Sequence, residues 1–191
     1  MEKMTRHEIR IAGYGGQGVI TLSKLLINAA ITFDRHQATQ AEAYGPASRG
    51  GSCWAEVVIE DNPEEVIDYP RTINPEYYVL LSDAAAAAYR SFCNQENVVS
   101  IIDPLTVKKF KIRKGIKYEV EAQRIATEEF KLPVIANVIL FGALVSLTKL
   151  VSVEAGRKTV EKSVPSKVLD LNLRAYERGL EIAKDLLAKQ A

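Results

Sequence analysis

The segment Ile9-Arg10-Ile11-Ala12-Gly13-Tyr14-Gly15-Gly16-Gln17-Gly18 constrains this chain more than any other stretch. A short apolar run stops in a cluster of glycines. Val19, Leu22, Leu25, Leu26, Ala29 and Ala30 then recur at helical spacing. That order predicts strand, tight turn and helix. Gly13, Gly15 and Gly18 fit G-x-G-x-x-G, and Gly16 adds a fourth glycine. Residues without a Cβ suit a sharp turn or the close approach of a ligand. The unpaired N–H groups and the dipole at the start of the following helix attract an anion. The binding residues predicted here are Gly13, Tyr14, Gly15, Gly16, Gln17 and Gly18. A plainer reading stays open: the glycines only let the helix pack closely on the sheet.

A dinucleotide site would add a second buried strand ending in Asp or Glu about 20 residues later. The corresponding segment, Arg35 to Ala43, is too polar for a buried parallel strand. Asp34 and Glu42 are acidic but lack that setting. The pattern therefore points away from NAD or FAD. It leaves a phosphate-bearing ligand of another kind or a partner's loop.

The rest of the chain alternates between the two periodicities. Residues 9–13 read as the first strand and 18–31 as the first helix. Residues 32–51, rich in Gln, Ala, Ser and Gly, read as a long loop, and loops of that length in compact domains are usually functional. Ser52 to Glu60 reads as a strand with Cys53, Ala55, Val57 and Ile59 on one face. Tyr77–Leu81, Val98–Ile102 and Gly115–Val120 are further strands. Ser82 or Asp83 can cap an alanine-rich helix reaching Phe92. Helices are predicted over 121–130, 136–150, 152–163 and 169–189. The basic stretch Lys108 to Lys114 alternates its charges with Phe110 and Ile112, which suggests a solvated edge strand; docking of an acidic partner is the sharper alternative. Strands separated by helices imply an α/β fold: a single Rossmann-like domain, 1–191, with a mainly parallel sheet flanked by helices. At 191 residues, such a domain can bury roughly 70% of its unfolded surface.

Charge and cysteine usage exclude several functions. The net charge is +1, which argues against a nucleic-acid partner. Cys53 and Cys93 stand far apart, with no C-x-x-C, so the chain has no iron–sulfur or zinc ligand set of its own. Both read as buried thiols in a reducing compartment. No apolar run is long enough to span a membrane and no signal peptide is seen, so the expected location is cytoplasmic.

The motifs of a self-sufficient enzyme are missing. There is no G-x-S-x-G elbow, no Walker lysine, no H-E-x-x-H and no kinase signature. No catalytic residue is assigned. Besides the glycine cluster, the unusual chemistry lies in Ser48-Arg49-Gly50-Gly51. Arg49 sits among small residues, which lets its guanidinium reach an anion without crowding. Ser48, Arg49, Gly50 and Gly51 therefore join the predicted binding residues. Without further clues, a stand-alone nucleotide- or phosphate-binding regulatory module is also open.

Gly13-Tyr14-Gly15-Gly16-Gln17-Gly18-Val19 resembles the opening of the gamma subunits of 2-oxoacid:ferredoxin oxidoreductases. Gln40…Tyr44-Gly45-Pro46…Arg49-Gly50-Gly51 resembles that family's second signature. Asn137…Gly142-Ala143-Leu144 and Asn172-Leu173-Arg174-Ala175-Tyr176-Glu177-Arg178-Gly179 resemble its C-terminal pattern. The match runs in order along almost the whole chain. It implies a non-catalytic subunit of an assembly that converts a 2-oxoacid and coenzyme A to acyl-CoA, carbon dioxide and reduced ferredoxin. Thiamine diphosphate and Mg would sit on alpha and beta partners, and iron–sulfur clusters on a beta or delta chain. This chain would help to bind coenzyme A, and when isolated it would self-associate or show the loop from Thr32 to Gly51 disordered. Pyruvate-type gamma chains tend to carry Arg after the first glycine. Tyr14 at that position is closer to the 2-oxoglutarate type, with the branched-chain and indolepyruvate types near it.

Overall fold

The computed structural model describes residues 6–45, 51–62 and 64–190. Six strands form one sheet in the order β2-β3-β1-β4-β5-β6. They are β1 (Arg6–Tyr14), β2 (Gln37–Tyr44), β3 (Ser52–Glu60), β4 (Tyr77–Leu80), β5 (Val99–Ile102) and β6 (Ile116–Glu119). β1, β4, β5 and β6 run parallel, whereas β3 is antiparallel to both β1 and β2. The sheet is thus mainly parallel, with an antiparallel hairpin added at one edge. Among the described residues the helices are α1 (Val19–Asn28), α2 (Asp83–Cys93), α3 (Ala122–Glu128), α4 (Ala136–Thr148), α5 (Val153–Ser163) and α6 (Leu169–Ala188).

Strand alternation divides the interior in two. Ile9, Ile11, Cys53, Val57, Val79 and Ile101 face a large cluster built with α1 and α3–α6. Ala12, Tyr78, Leu80 and Ile102 face the opposite way, under α2 and Phe110. α4 is buried nearly all round, as its largely apolar sequence demands. Its Gly142 lies against Gly179 of α6, where backbones meet so closely that a Cβ on either would strike the other helix. Ser82 caps α2 and Ser152 caps α5; each hydroxyl oxygen accepts an N–H from three residues on.

Two sequence expectations fail. Residues 32–51 are not one long loop. α1 continues into a π-helical turn, Ala29–Asp34, and Gln37–Tyr44 is the outermost strand. Ala38, Gln40 and Glu42 face Ile59, Val57 and Ala55 across the ladder, and Gln40 Nε2 donates to Ser23 Oγ of α1 at 2.8 Å. A half-covered antiparallel edge tolerates such small and polar residues; a central parallel strand does not. Nor is Lys108–Lys114 a strand. It runs beside α2 in an irregular path, fixed by side chains described below. Asp34 serves the fold: its carboxylate accepts the Ser152 hydroxyl at 2.6 Å and so holds the start of α5.

Candidate functional site

The glycine turn lies at the carboxyl end of β1, where open α/β sheets gather ligands. Its glycines have different tasks. Gly16 has φ 95° and Gly18 φ 82°, values that favour residues without a Cβ. Space around Gly16 is open, whereas a Cβ on Gly18 would run into the Asn137 carboxamide of α4. A Cβ on Gly13 would stand 2.7 Å from Gln17 Oε1. Gln17 is the staple of the turn. Its Oε1 accepts the Tyr14 N–H at 2.6 Å, and its Nε2 donates to Leu81 O at 2.6 Å. The turn is thereby locked to the end of β4. Gln17 N donates to Tyr14 O at 3.1 Å. The N–H groups of Tyr14 and Gln17 are thus engaged inside the chain.

The Gly15 N–H donates to Gly51 O at 3.0 Å, and this contact joins the two sequence signatures. Gly45 N donates to Ser52 O at 2.6 Å and closes the β2–β3 hairpin. The hairpin end therefore stands beside the glycine turn. Ser48, Arg49 and Gly50 lie outside the described residues; their flanks at Gly45 and Gly51 do not. Next to the turn, a cleft of about 220 Å³ is lined by Gly13, Tyr14, Cys53, Trp54, Ser82 and Tyr89. It opens between the carboxyl end of β1 and the start of α2. Tyr14 is 40% exposed and Tyr44 64% exposed at this end of the sheet, with Leu105 and Val134 also exposed nearby.

The titratable groups around the site are committed to structure. Burial pushes the Cys53 thiol up, with Glu42 adding to it, and burial pushes Cys93 up to about 11. Neither is an activated nucleophile. They also belong to clusters on opposite faces of the sheet, so the pair does not fit an iron–sulfur cluster. Among the described residues no group of His, Cys, Asp and Glu is arranged to hold a metal. Asp103, at the end of β5, is buried, and that burial raises its carboxyl above the ordinary value. Its oxygens accept the N–H groups of Leu105 at 2.9 Å and Gln123 at 2.8 Å, shaping two loops. Gln17 and Asn137 were visible in the sequence only as members of the quoted motifs; their packing roles depend on contacts 64 and 119 positions away in the chain.

The family profile described as pyruvate ferredoxin/flavodoxin oxidoreductase matches residues 8–182. The 2-oxoglutarate synthase subunit KorC of Methanocaldococcus jannaschii is 40% identical over 182 residues, 95% of this chain and 96% of that protein. The KorC of Methanothermobacter thermautotrophicus is 37% identical over 93% of this chain and 95% of its own length. The solved gamma subunit of a keto/oxoacid ferredoxin oxidoreductase from Geobacter sulfurreducens superposes with a TM-score of 0.80 at 31% identity, covering 94% of this chain and 99% of that one. A 2-oxoglutarate:ferredoxin oxidoreductase from Magnetococcus marinus shares the fold, with a TM-score of 0.84 at 19% identity; the match takes in 32% of that longer chain. No helix among the described residues is long and apolar enough to cross a membrane. A glycine turn stapled by Gln17, a hairpin hydrogen-bonded to it, and a profile match over nearly the full length lead to one conclusion: the chain belongs to the pyruvate ferredoxin/flavodoxin oxidoreductase family and is a gamma subunit of a 2-oxoacid:ferredoxin oxidoreductase.

Proposed function

We propose that this gamma chain, folded as one domain over 1–191, serves a 2-oxoglutarate-type enzyme and covers its coenzyme A site without doing chemistry itself. The KorC relatives support the substrate assignment. The observation that supports the site is the Gly15–Gly51 hydrogen bond, which sets Gly51, two residues after Arg49 in the sequence, beside the glycine turn. In this reading, the site comprises Gly13, Tyr14, Gly15, Gly16, Gln17 and Gly18 with Ser48, Arg49, Gly50 and Gly51. Because several turn amides are already engaged, Arg49 carries most of the attraction for a coenzyme A phosphate, as a charge-assisted donor. Exposed Tyr14, Tyr44, Leu105 and Val134 at the same end give apolar surface for docking on alpha and beta partners. Thiamine diphosphate, Mg and iron–sulfur clusters reside on those partners or on a delta chain. The assembly works in the cytoplasm, where unpaired Cys53 and Cys93 stay reduced.

The test is Arg49→Ala in the assembled enzyme. Loss of one charge-assisted bond, typically about 1.5–3 kcal/mol, raises the KM for coenzyme A on the order of 10- to 100-fold. The KM for 2-oxoglutarate stays near its wild-type value. If coenzyme A kinetics are unchanged while the subunits no longer assemble, the hairpin is an interface element and the phosphate reading is wrong.

A further inference from the structure

The irregular segment Lys108–Lys114 is a built feature of the surface. Asp83 Oδ1 accepts the N–H groups of Lys108 at 2.7 Å and Lys109 at 3.1 Å. At the other end, Asn94 Oδ1 accepts those of Arg113 at 2.6 Å and Lys114 at 3.0 Å. Arg90 Nε donates to Lys111 O at 3.0 Å between them. Phe110, 4% exposed, anchors the middle in the core under α2, with Ile112 packed beside it. Main chain and apolar residues are pinned, and Lys108, Lys109, Lys111, Arg113 and Lys114 point their charges outward. Among the described residues, only Lys114 of these five forms an ion pair, with the exposed Glu96. The whole chain carries a net charge of only +1, so this strap is a local concentration of positive charge.

We infer that the strap is the docking strip for an acidic electron-carrier protein that visits the assembled enzyme transiently. The inference rests on the proposed function above. Lysine is depleted from the cores of stable interfaces, which argues against a permanent subunit contact here. Small, charged, short-lived contacts are the habit of electron-transfer encounters, and opposite charge steers them. Exposed Ala87, on the same face of α2 as Asp83, Arg90 and Asn94, gives low relief beside the strap, so a partner can approach closely. The aromatic ring of the segment, Phe110, is buried and unavailable for stacking on bases, which disfavours a nucleic acid.

The experiment uses the assembled enzyme with wild-type gamma chain or with Lys108→Glu, Lys109→Glu and Lys111→Glu combined. Activity with 2-oxoglutarate and coenzyme A is followed with an acidic ferredoxin or with methyl viologen as acceptor. At low salt the triple variant raises the KM for ferredoxin on the order of tenfold and flattens its salt dependence. The rate with methyl viologen stays the same, and the Lys→Gln counterpart gives an intermediate KM. An unchanged ferredoxin KM and salt slope overturns the inference. So does a triple variant that no longer joins the assembly, self-association of the gamma chain lost on substitution, or binding of a single-stranded oligonucleotide lost while ferredoxin kinetics hold. A wild-type assembly that fails with methyl viologen as well would instead overturn the proposed 2-oxoglutarate function on which the strap's role depends.

Discussion

Glu56 is 1% exposed on the sheet face away from the main core, between two guanidiniums. Its oxygens accept from Arg10 and Arg71, and both cations lie over the Trp54 ring at 5.0 Å. Burial works to raise the Glu56 carboxyl, yet the Arg71 and Arg10 charges prevail and hold it below its ordinary value. A carboxyl depressed in the folded state stabilises fully above its unfolded pKa of about 4.3. That stability is lost as the pH falls through the lower folded value. Glu56→Gln therefore destabilises the protein at pH 7 by about 2–3 kcal/mol, less than for a fully buried pair because Arg71 is half exposed. Urea unfolding at a series of pH values should show the gap between variant and wild type narrowing from pH 5 toward pH 3. A gap that stays constant would mean that charge pairing at Glu56 is not what stabilises. Arg10 and Glu56 alternate with apolar neighbours in β1 and β3, so their facing away from the core was legible from period two. Their pairing with Arg71 was not, because Arg71 sits in an irregular segment whose path no pattern fixes.

α4 and α6 meet along small residues. Cβ atoms added at Gly142 or Gly179 would collide with main-chain atoms of the other helix, at Tyr176 O and Ile139 O respectively. Unlike the far end of a side chain, a backbone carbonyl cannot swing away. Gly179→Ala removes a flexible residue from the interior of α6, which alone would favour the helix. The forced separation of the helices outweighs that gain. The net cost is about 1–3 kcal/mol, with a lowered Tm measured by circular dichroism, and Gly142→Ala behaves alike. A Tm equal to or above wild type would show that the helices can part freely. Elements were unequally legible. α4 announced itself by an apolar run, and β3 by apolar residues at every second position, Cys53, Ala55, Val57 and Ile59. β2 did not, because Gln37–Tyr44 carries small and polar residues on both faces, as an edge strand can. The Lys108–Lys114 alternation mimicked a strand, but bonds from Asp83 and Asn94 set its path instead. Of the candidate site, the glycine turn was readable from residue type alone. The staple by Gln17 and the closeness of Gly51 required the fold.

As a whole, the molecule combines a scaffold with an uncovered end. Its thiols are held protonated by burial, Asp103 accepts backbone N–H groups, and Asp34 is tied to Ser152. Acid–base or nucleophilic work needs a group poised to change state, and these are fixed by the fold. Large apolar side chains, by contrast, are exposed where the sheet's carboxyl end presents the glycine turn. Such a surface gains by association, and stable multi-subunit interfaces commonly bury more than about 2,000 Å². The isolated chain is therefore expected to reduce no benzyl viologen with 2-oxoglutarate and coenzyme A, and to elute as a self-associated species. Mixing with alpha and beta partners should bring both activity and a mixed assembly, in which Tyr14 and Tyr44 become protected from chemical modification. Turnover by the gamma chain alone would place a reactive group among residues assigned here to structure. Tyrosines equally modified before and after assembly would mean that the partners dock elsewhere, and the glycine turn would then face solvent in the complete enzyme.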